Sequence, residues 1–312
     1  MASPSPIQRV PSTARIPAFH GMKPGPRPWL REESARLAAL RFERIRVTPL
    51  AATIGAEIEG ADLAQLDDAT FAEVHAAWLA FKVVFFRRQR IDARQQIAFA
   101  QRFGELESHP FLAANEKHAE IVRFEKGEQL SGYENVWHSD VSWRERPALG
   151  SVLRAIEVPP IGGDTLFADM IAACEGLDEG IRQRSDGLTA THDFTHSFGR
   201  ALSPADLAEK QKQFPAVHHP VVRTHPETGR KILYVNPTFT SCIDGLDAAE
   251  SQSLLDLLCR QATVPEYQCR FHWEKDTVAF WDNRAVQHYA TSDYWPQRRV
   301  MERVAIVGDR PR

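Results

Sequence analysis

The seven residues Asn-Val-Trp-His-Ser-Asp-Val at positions 135–141 carry the strongest signal in this sequence. Within them, His138 and Asp140 are two positions apart. On an extended strand, alternate side chains point to the same face, so one imidazole and one carboxylate would converge. They would supply two ligands of a two-histidine, one-carboxylate site, which leaves coordination positions open on a non-haem ferrous ion. A His-x-Asp triplet arises by chance roughly once in a chain of this composition, so it needs support from elsewhere.

Two later segments supply that support. His288 can be the third ligand. If the segment around residue 300 is a strand, Arg299, Met301 and Arg303 share one face and Glu302 turns to the other. Two inward arginines in an otherwise apolar strand are costly unless they pair with anions, and a guanidinium fits a carboxylate or sulfonate. The alternative is an exposed edge strand whose arginines are solvated.

Short apolar runs between turn residues fill the second half of the chain. They predict strands at 151–156, 165–167, 188–194, 217–222, 232–235, 268–273, 277–281 and 300–307. One helix interrupts them, and it starts at the capping pair Asp247 and Glu250. Many short strands are typical of a sandwich or barrel, and they do not alternate regularly with helices as in a doubly wound sheet.

The first half of the chain contains the other predicted helices. Apolar residues recur at helical spacing in 67–80 and 92–103, and a short apolar strand lies between them at 83–86. Residues 44–58 are strand-forming but are broken by Pro49 and Gly55. We therefore predict a mainly β fold decorated by helices.

Composition excludes several classes of protein. The 38 Lys and Arg against 41 Asp and Glu leave a net charge of −3, which argues against a nucleic-acid binder. No run approaches about 18 apolar residues, so we expect no transmembrane helix and no membrane partner. The four cysteines form no C-x-x-C pair, which argues against a zinc knuckle and favours a reducing, cytoplasmic location.

The amino-terminal residues 1–31 differ from the rest. They hold seven of the 20 prolines and five basic residues, and the first acidic residue is Glu32. No apolar stretch of the secretory type is present. We expect a disordered tail, with an organelle transit peptide as the alternative.

Five short motifs occur together and in a fixed order. They are His138-x-Asp140, Gly162-Gly163-Asp164-Thr165, Trp281-Asp282-Asn283-Arg284, Gln287-His288 and Arg299-x-x-x-Arg303. From about Val47 to Ile306 the chain resembles the TauD/TfdA family of Fe(II)/2-oxoglutarate-dependent dioxygenases, above all its taurine dioxygenase and alkylsulfatase members. The resemblance implies a double-stranded β-helix, or jelly-roll, core decorated by helices, and a single dioxygenase domain at 32–312.

The resemblance also implies the cofactors and their residues. His138, Asp140 and His288 match the catalytic ligands of Fe(II). Thr165 and Arg299 match the pair that holds the distal carboxylate of the cosubstrate 2-oxoglutarate. Arg303 matches the arginine near the C1 carboxylate of the cosubstrate, which also faces the anionic end of the substrate. Dioxygen is the other reactant.

The match at the substrate site is partial. His109 matches a histidine that contacts a substrate sulfonate, and the backbone N–H of Val141 matches a second donor to it. Ser197 and Phe198 match residues that line the same pocket. Leu112 stands where taurine-specific members carry tyrosine, and favours an apolar substrate tail. At 134 a glutamate, Glu134, stands in place of asparagine and favours a cationic group instead; the sequence leaves both alternatives open.

The implied reaction is hydroxylation of a small anionic molecule, either a taurine-like organosulfonate or an alkyl sulfate ester. The products would be succinate, CO₂ and an aldehyde plus sulfite or sulfate. The same chemistry on an aryloxyalkanoate or another carboxylate is an alternative. A non-catalytic jelly-roll binding protein and a zinc hydrolase are alternatives of other classes. A homodimer or homotetramer is expected from the family.

Overall fold

The computed structural model describes residues 25–112, 115 and 117–312. In chain order, the strands are β1 (Arg46–Pro49), β2 (Ala56–Glu59), β3 (Val83–Phe86), β4 (Leu106–Glu107), β5 (Ile121–Lys126), β6 (Ala148–Glu157), β7 (Thr165–Asp169), β8 (Thr189–His192), β9 (Val217–Pro220), β10 (Val222–Thr224), β11 (Lys231–Leu233), β12 (Thr240–Ile243), β13 (Gln268–Phe271), β14 (Val278–Asp282), β15 (Val286–Ala290) and β16 (Arg299–Val307). The α-helices are α1 (Pro28–Ala38), α2 (Asp68–Phe81), α3 (Ala93–Gln101), α4 (Met170–Glu175), α5 (Glu179–Ser185), α6 (Pro204–Gln213) and α7 (Ala248–Cys259).

The largest sheet contains the strand that carries the two arginines. Its order is β1-β2-β3-β14-β6-β16-β4, and β5 also pairs with β16. Strand β16 is therefore an interior strand, between β6 on one side and β5 on the other. Arg299 and Arg303 are both buried on it. The alternative of an exposed edge strand with solvated arginines is wrong.

The side chains of β16 alternate between the two faces of the sheet as predicted. Glu302 turns away from the two arginines and is held by Arg154 at 2.7 Å and Arg123 at 3.0 Å. Because a strand alternates its faces, Arg299, Met301 and Arg303 share the opposite face. That face lines the cavity described below.

A second sheet of three strands, in the order β13-β7-β15, packs against the first. The core between the two sheets is built from apolar side chains on strands of both, among them Phe85, Leu153, Phe167, Trp281 and Met301. Phe85 and Phe271 stack across it with ring centroids 3.7 Å apart. This pair of facing sheets is the predicted mainly β, jelly-roll core.

Helices cover the outer face of the large sheet. Trp78 of α2 stacks on Phe280 of β14 with ring centroids 4.5 Å apart. Capping residues mark where the predicted helices start: the side chain of Asp67 accepts from Thr70, and Asp247 accepts from Glu250. The three helices predicted at 67–80, at 92–103 and after Asp247 are confirmed as α2, α3 and α7. None of the helices in the described part of the chain is long and apolar enough to cross a membrane.

Four helices were not predicted. Helices α4 and α5 have only 6 and 7 residues, and α6 has no buried residue, so none shows a clear apolar period. Helix α1 begins at Pro28, inside the segment expected to be a disordered tail. Proline is favourable at the first helical position, where its missing N–H costs nothing. The rest of that tail, residues 1–24, lies outside the described residues.

Candidate active site

Three side chains with metal-ligand atoms meet beside β15. One atom each from His138, Asp140 and His288 lies within 4.8 Å of the other two. The two histidines are joined through their backbones: His138 N–H donates to His288 O at 3.2 Å, and His288 N–H donates to His138 O at 2.9 Å. Their ring centroids are 4.2 Å apart. This backbone bridge fixes the spacing of the imidazoles.

The backbone at 138–141 differs from the extended strand that the sequence predicts. Only His138 forms a strand-like bridge, and Asp140 begins a turn. Val141 has a φ of +46°, in the left-handed region that β-branched residues rarely adopt. The strand prediction is therefore wrong here, and it is the turn that brings the Asp140 carboxylate beside the imidazoles.

Asn283 holds this turn in place. Its Oδ1 accepts from Asp140 N–H at 2.6 Å, and its Nδ2 donates to the carbonyls of Asp140 at 2.9 Å and Ala148 at 3.0 Å. Every polar group of this fully buried amide is thus engaged. The Trp-Asp-Asn-Arg motif contained this residue, but its role depends on a contact that the sequence does not show.

The Asp140 carboxylate is buried and strongly compensated. Ser151 Oγ donates to its Oδ2 at 2.9 Å, and Arg303 Nη1 donates to its Oδ1 at 2.6 Å. Burial alone would raise the pKa of Asp140, but the positive charge of Arg303, together with the imidazoles of His288 and His138, holds it below its ordinary value. Asp140 is therefore ionised, as a ligand carboxylate must be.

Both histidines can act as metal ligands. Burial, with smaller effects from His138 and Arg303, lowers the pKa of His288 to about 3, which leaves its ring neutral. His138 Nδ1 lies 2.9 Å from the carbonyl of Val136, which can only accept, so that nitrogen carries the hydrogen. His138 Nε2 then faces Asp140 Oδ1, 3.8 Å away. Two imidazoles and one carboxylate form a donor set that fits Fe(II).

Arg299 has unused hydrogen-bonding capacity. It is buried, and its Nε and Nη2 have no partner among the described residues. Burial lowers the pKa of Arg299 from its ordinary value because the charged form loses hydration. Gly163, at φ +69°, closes over it, and a Cβ at that position would lie 3.2 Å from Arg299 Cδ. A buried guanidinium with two such nitrogens unbonded is costly, so this site fits an anionic ligand.

Thr165 lies in the same cavity and has a hydrogen left to donate. Its Oγ1 accepts from Trp273 Nε1 at 2.9 Å, so its own O–H remains available. Together with Arg299, it gives the cavity wall donors that fit a carboxylate.

His109 is held as a neutral donor. Its Nδ1 accepts from the backbone N–H groups of Phe111 at 3.2 Å and Leu112 at 3.1 Å, so the hydrogen is on Nε2. Burial and then the charge of Arg303 lower the pKa of His109 to about 3. Its ring lies against Phe198, with centroids 5.3 Å apart. The imidazole therefore offers an N–H but no charge.

These groups share one cavity of about 760 Å³, a size typical of small-molecule sites. Every predicted site residue lines it, as do both residues that depart from the taurine pattern: His109, Leu112, Glu134, His138, Asp140, Val141, Thr165, Ser197, Phe198, His288, Arg299 and Arg303. The sequence missed several apolar residues of the wall, among them Phe111, Leu202 and Phe239. These residues are not regularly spaced along the chain, so no sequence pattern identifies them as a group.

The sequence also missed the partner of Glu134. Lys126 Nζ lies 2.9 Å from Glu134 Oε1, and the lysine side chain is only 5% exposed. The same ammonium lies 3.8 Å from the ring centroid of Tyr133. Lys126 ends strand β5 and Glu134 follows in a loop, so only the folded chain brings the pair together.

Comparisons with known proteins agree with this geometry. A family model described as "Taurine catabolism dioxygenase TauD, TfdA family" matches residues 46–305. The chain is 36% identical over 274 residues to an alpha-ketoglutarate-dependent sulfate ester dioxygenase from Pseudomonas putida, covering 85% of this chain and 90% of the relative. It is also 36% identical over 274 residues to an (S)-phenoxypropionate/alpha-ketoglutarate-dioxygenase from Sphingobium herbicidovorans, covering 84% and 95%. The crystal structure of a taurine dioxygenase from Burkholderia xenovorans superposes with a TM-score of 0.74 at 38% identity, covering 86% of this chain and 93% of that one.

Proposed function

The chain belongs to the TauD/TfdA family and is an α-ketoglutarate-dependent dioxygenase, and from that premise we propose that it hydroxylates an organosulfonate or an alkyl sulfate ester. α-Ketoglutarate is 2-oxoglutarate, which becomes succinate and CO₂ in this reaction. Hydroxylation at the carbon that bears the sulfonate or sulfate gives an unstable product that collapses to an aldehyde with sulfite or sulfate. The observation that carries the proposal is that one cavity contains both three converging ligand-type side chains and a buried guanidinium, two of whose nitrogens have no hydrogen-bond partner in the part of the chain that the structure describes.

His138, Asp140 and His288 would hold Fe(II) in this cavity. Bound together with 2-oxoglutarate, the ion supplies the activation of dioxygen on which hydroxylation depends. The protein's part is to hold the three ligands in fixed positions on one side of the ion and to leave the coordination positions on the other side open. The backbone bridge between the histidines and the amide of Asn283 support that fixed side.

Arg299 and Thr165 would bind the distal carboxylate of 2-oxoglutarate. The free nitrogens of Arg299 and the available O–H of Thr165 support this assignment, because a carboxylate accepts several such bonds at once. Arg303 would lie near the C1 carboxylate of the cosubstrate while it holds Asp140. Its charge would also attract the anionic head of the substrate.

His109 Nε2–H and the backbone N–H of Val141 would orient that head, beside Ser197 and Phe198. The donors are few and the remaining wall is largely apolar, which is typical of sites that bind a small molecule in one orientation. Holding the reacting C–H in a fixed position is how such a site accelerates the reaction.

An aryloxyalkanoate or another carboxylate is the second candidate. The 36% identity to the phenoxypropionate dioxygenase and the aromatic side chains of the cavity favour it. Both candidates present an anionic head to the same donors. They differ in the head group and in whether sulfite or sulfate is released.

A screen for succinate release tests the proposal. Purified protein with Fe(II), ascorbate and 2-oxoglutarate would be given alkanesulfonates, alkyl sulfates and aryloxyalkanoates, with oxygen uptake and sulfite or sulfate followed together. We expect succinate, oxygen uptake and the sulfur product in equal amounts with a sulfonate or sulfate ester. Sulfate release without oxygen uptake, by zinc-loaded protein, would instead support a hydrolase. Ligand binding with no turnover of any compound would support a non-catalytic binding protein.

The cytoplasmic location and the homodimer or homotetramer remain predictions. Size-exclusion chromatography with light scattering tests the second directly.

A further inference from the structure

We propose that the ion pair between Lys126 and Glu134 determines substrate specificity: it leaves the described lining of the cavity without a free carboxylate, so the substrate's tail must be an uncharged alkyl or aryl group and cannot carry an ammonium. This inference rests on the proposed function and concerns the same cavity. It decides between the two alternatives that Leu112 and Glu134 left open.

Both carboxylates in the described lining of the cavity are already engaged. Asp140 is bonded to Ser151 and Arg303. Glu134 Oε1 pairs with Lys126 at 2.9 Å, and its Oε2 accepts from the backbone N–H of Tyr133 at 3.0 Å. An ammonium group on a substrate would therefore find no unpaired acid among the described lining residues.

Lys126 is held firmly in this arrangement. Its side chain is 5% exposed, and a buried cation requires a partner. The ring of Tyr133 contacts the same ammonium, 3.8 Å from its centroid, and adds an attraction that depends on the positive charge. Lys126 is thus held beside Glu134 by the attraction of opposite charges and is largely shielded from solvent.

With 2-oxoglutarate bound, each positive charge in this part of the cavity wall would have a negative partner, so no charge on the substrate's tail is needed to balance it. Lys126 and Arg299 are directly opposite each other in the pairing of β5 with β16. Glu134 compensates Lys126, and the distal carboxylate of 2-oxoglutarate would compensate Arg299. A third cation placed here would be repelled by two buried positive charges and would lose its hydration.

The rest of the wall suits hydrocarbon. Leu112, Phe111, Phe198, Leu202 and Phe239 all line the cavity. Phe111 and Phe198 stack at 5.2 Å between centroids, and Phe198 and Phe239 at 6.1 Å. Such a wall gains free energy from burying an alkyl chain or a ring, and these five side chains offer an ammonium tail neither a hydrogen-bond acceptor nor a negative charge.

The test compares ligands that differ only at the end of the tail. Pentane-1-sulfonate and 4-aminobutane-1-sulfonate have the same head and nearly the same length, and pentyl sulfate and 4-aminobutyl sulfate form a second pair. For the wild-type protein we expect kcat/KM for the methyl-ended ligand to exceed that for the amine by about 100-fold, as for an unpaired buried charge. Equal use of the two ligands, or preference for the amine, would overturn the proposal without any variant.

Lys126→Met supplies the second measurement. Methionine keeps the apolar stem and removes the charge, so Glu134 is unpaired and the preference should fall at least about tenfold. Lys126→Arg keeps the charge and should keep the wild-type preference. The double variant Lys126→Met/Glu134→Gln should return to the wild-type preference for the methyl-ended ligand, because the only carboxylate left in the described lining, Asp140, is already bonded to Ser151 and Arg303.

A third arm does not depend on turnover. n-Butylammonium has no anionic head, and we expect it to raise the Tm of Lys126→Met but not of the wild type or the double variant. If n-butylammonium raises the Tm of Lys126→Met alone and no sulfonate or sulfate ester is turned over, the specificity inference stands and the proposed substrates are rejected. Failure of n-butylammonium to stabilise a folded Lys126→Met protein would overturn the inference, whatever the enzyme hydroxylates.

Discussion

Arg303 donates a hydrogen bond of 2.6 Å to Asp140, the carboxylate that lies beside the two imidazoles. Both side chains are buried, so this contact is a strong charge-assisted bond. It places a guanidinium at the edge of the candidate metal site and inside the cavity. One arginine thus faces the proposed metal ligand and the proposed anions at once.

Replacing Arg303 should therefore affect both the proposed metal ligand Asp140 and the binding of the proposed anions. Arg303→Met leaves the Asp140 carboxylate without its cation, and we expect kcat/KM for the organic substrate to fall by about 100-fold or more. Arg303→Lys keeps the charge but loses the planar guanidinium. Its kcat/KM should lie between the values for the wild type and Arg303→Met. Steady-state kinetics with saturating 2-oxoglutarate measure the effect. Near-wild-type activity of Arg303→Met would refute the assignment.

Arg299 should act mainly on the cosubstrate. We expect Arg299→Met to raise the apparent KM for 2-oxoglutarate about 10- to 100-fold, the loss expected for hydrogen bonds to a charged group. The ligand-free variant should be at least as stable as the wild type, because it removes a buried charge whose Nε and Nη2 have no hydrogen-bond partner among the described residues. Thermal unfolding with and without 2-oxoglutarate measures both effects.

The neighbouring Arg298 provides the matched control for that experiment. Its side chain is 49% exposed and pairs with Glu125, outside the cavity. Arg298→Met should leave the KM for 2-oxoglutarate unchanged. Equal shifts in the two variants would show that the effect of Arg299 is not specific.

His109 gives a prediction for pH. Its pKa of about 3 in the folded protein lies below the ordinary value of 6.5, so the unfolded chain binds more protons between these values. Stability from this group is therefore full above about pH 6.5 and is lost as the pH falls towards 3. His109→Gln should reduce the slope of unfolding free energy against pH by at most about 1.4 kcal/mol per pH unit. Denaturant titrations at several pH values, compared with the wild type, test this.

The same residue should not limit activity between pH 6 and 8. Because its imidazole is already neutral there, its Nε2–H donates throughout this range. A fall in substrate affinity near pH 6.5 that disappears in His109→Gln would contradict the neutral tautomer.

Asn283 should prove essential to the turn that carries Asp140. In Asn283→Asp a carboxylate oxygen replaces the amide nitrogen and faces the carbonyls of Asp140 and Ala148. We expect a loss of about 1–3 kcal/mol in unfolding free energy and weaker metal binding. The exposed Asn135→Asp is the control and should change neither property. Metal titrations and denaturant unfolding of both variants give the answer.

Local patterns in the sequence predicted much of this structure. Alternation placed Arg299 and Arg303 on one face of β16, the helical spacing of apolar residues located α2 and α3, and a capping pair located α7. These signals succeed because each depends on a few consecutive residues. Helix α6 was missed for the same reason, since it buries no residue and so has no apolar period.

Contacts between distant segments could not be predicted in this way. The turn at Asp140 depends on Asn283, and the spacing of the imidazoles depends on the backbone bridge between His138 and His288. The pairing of Lys126 with Glu134 depends on the path of a loop beside β5. Each of these features belongs to the fold rather than to a motif, and the motifs alone left the role of Glu134 undecided.

The central claim is that His138, Asp140 and His288 together hold Fe(II) with 2-oxoglutarate. Anaerobic titration of the protein with both, followed by absorption spectroscopy, tests it most directly, because only a competent site gives the metal-to-ligand charge-transfer band. We predict the band in the wild type and its loss in Asp140→Ala and His288→Ala, with all three proteins folded by circular dichroism. A band of wild-type intensity in folded Asp140→Ala and His288→Ala would contradict the claim.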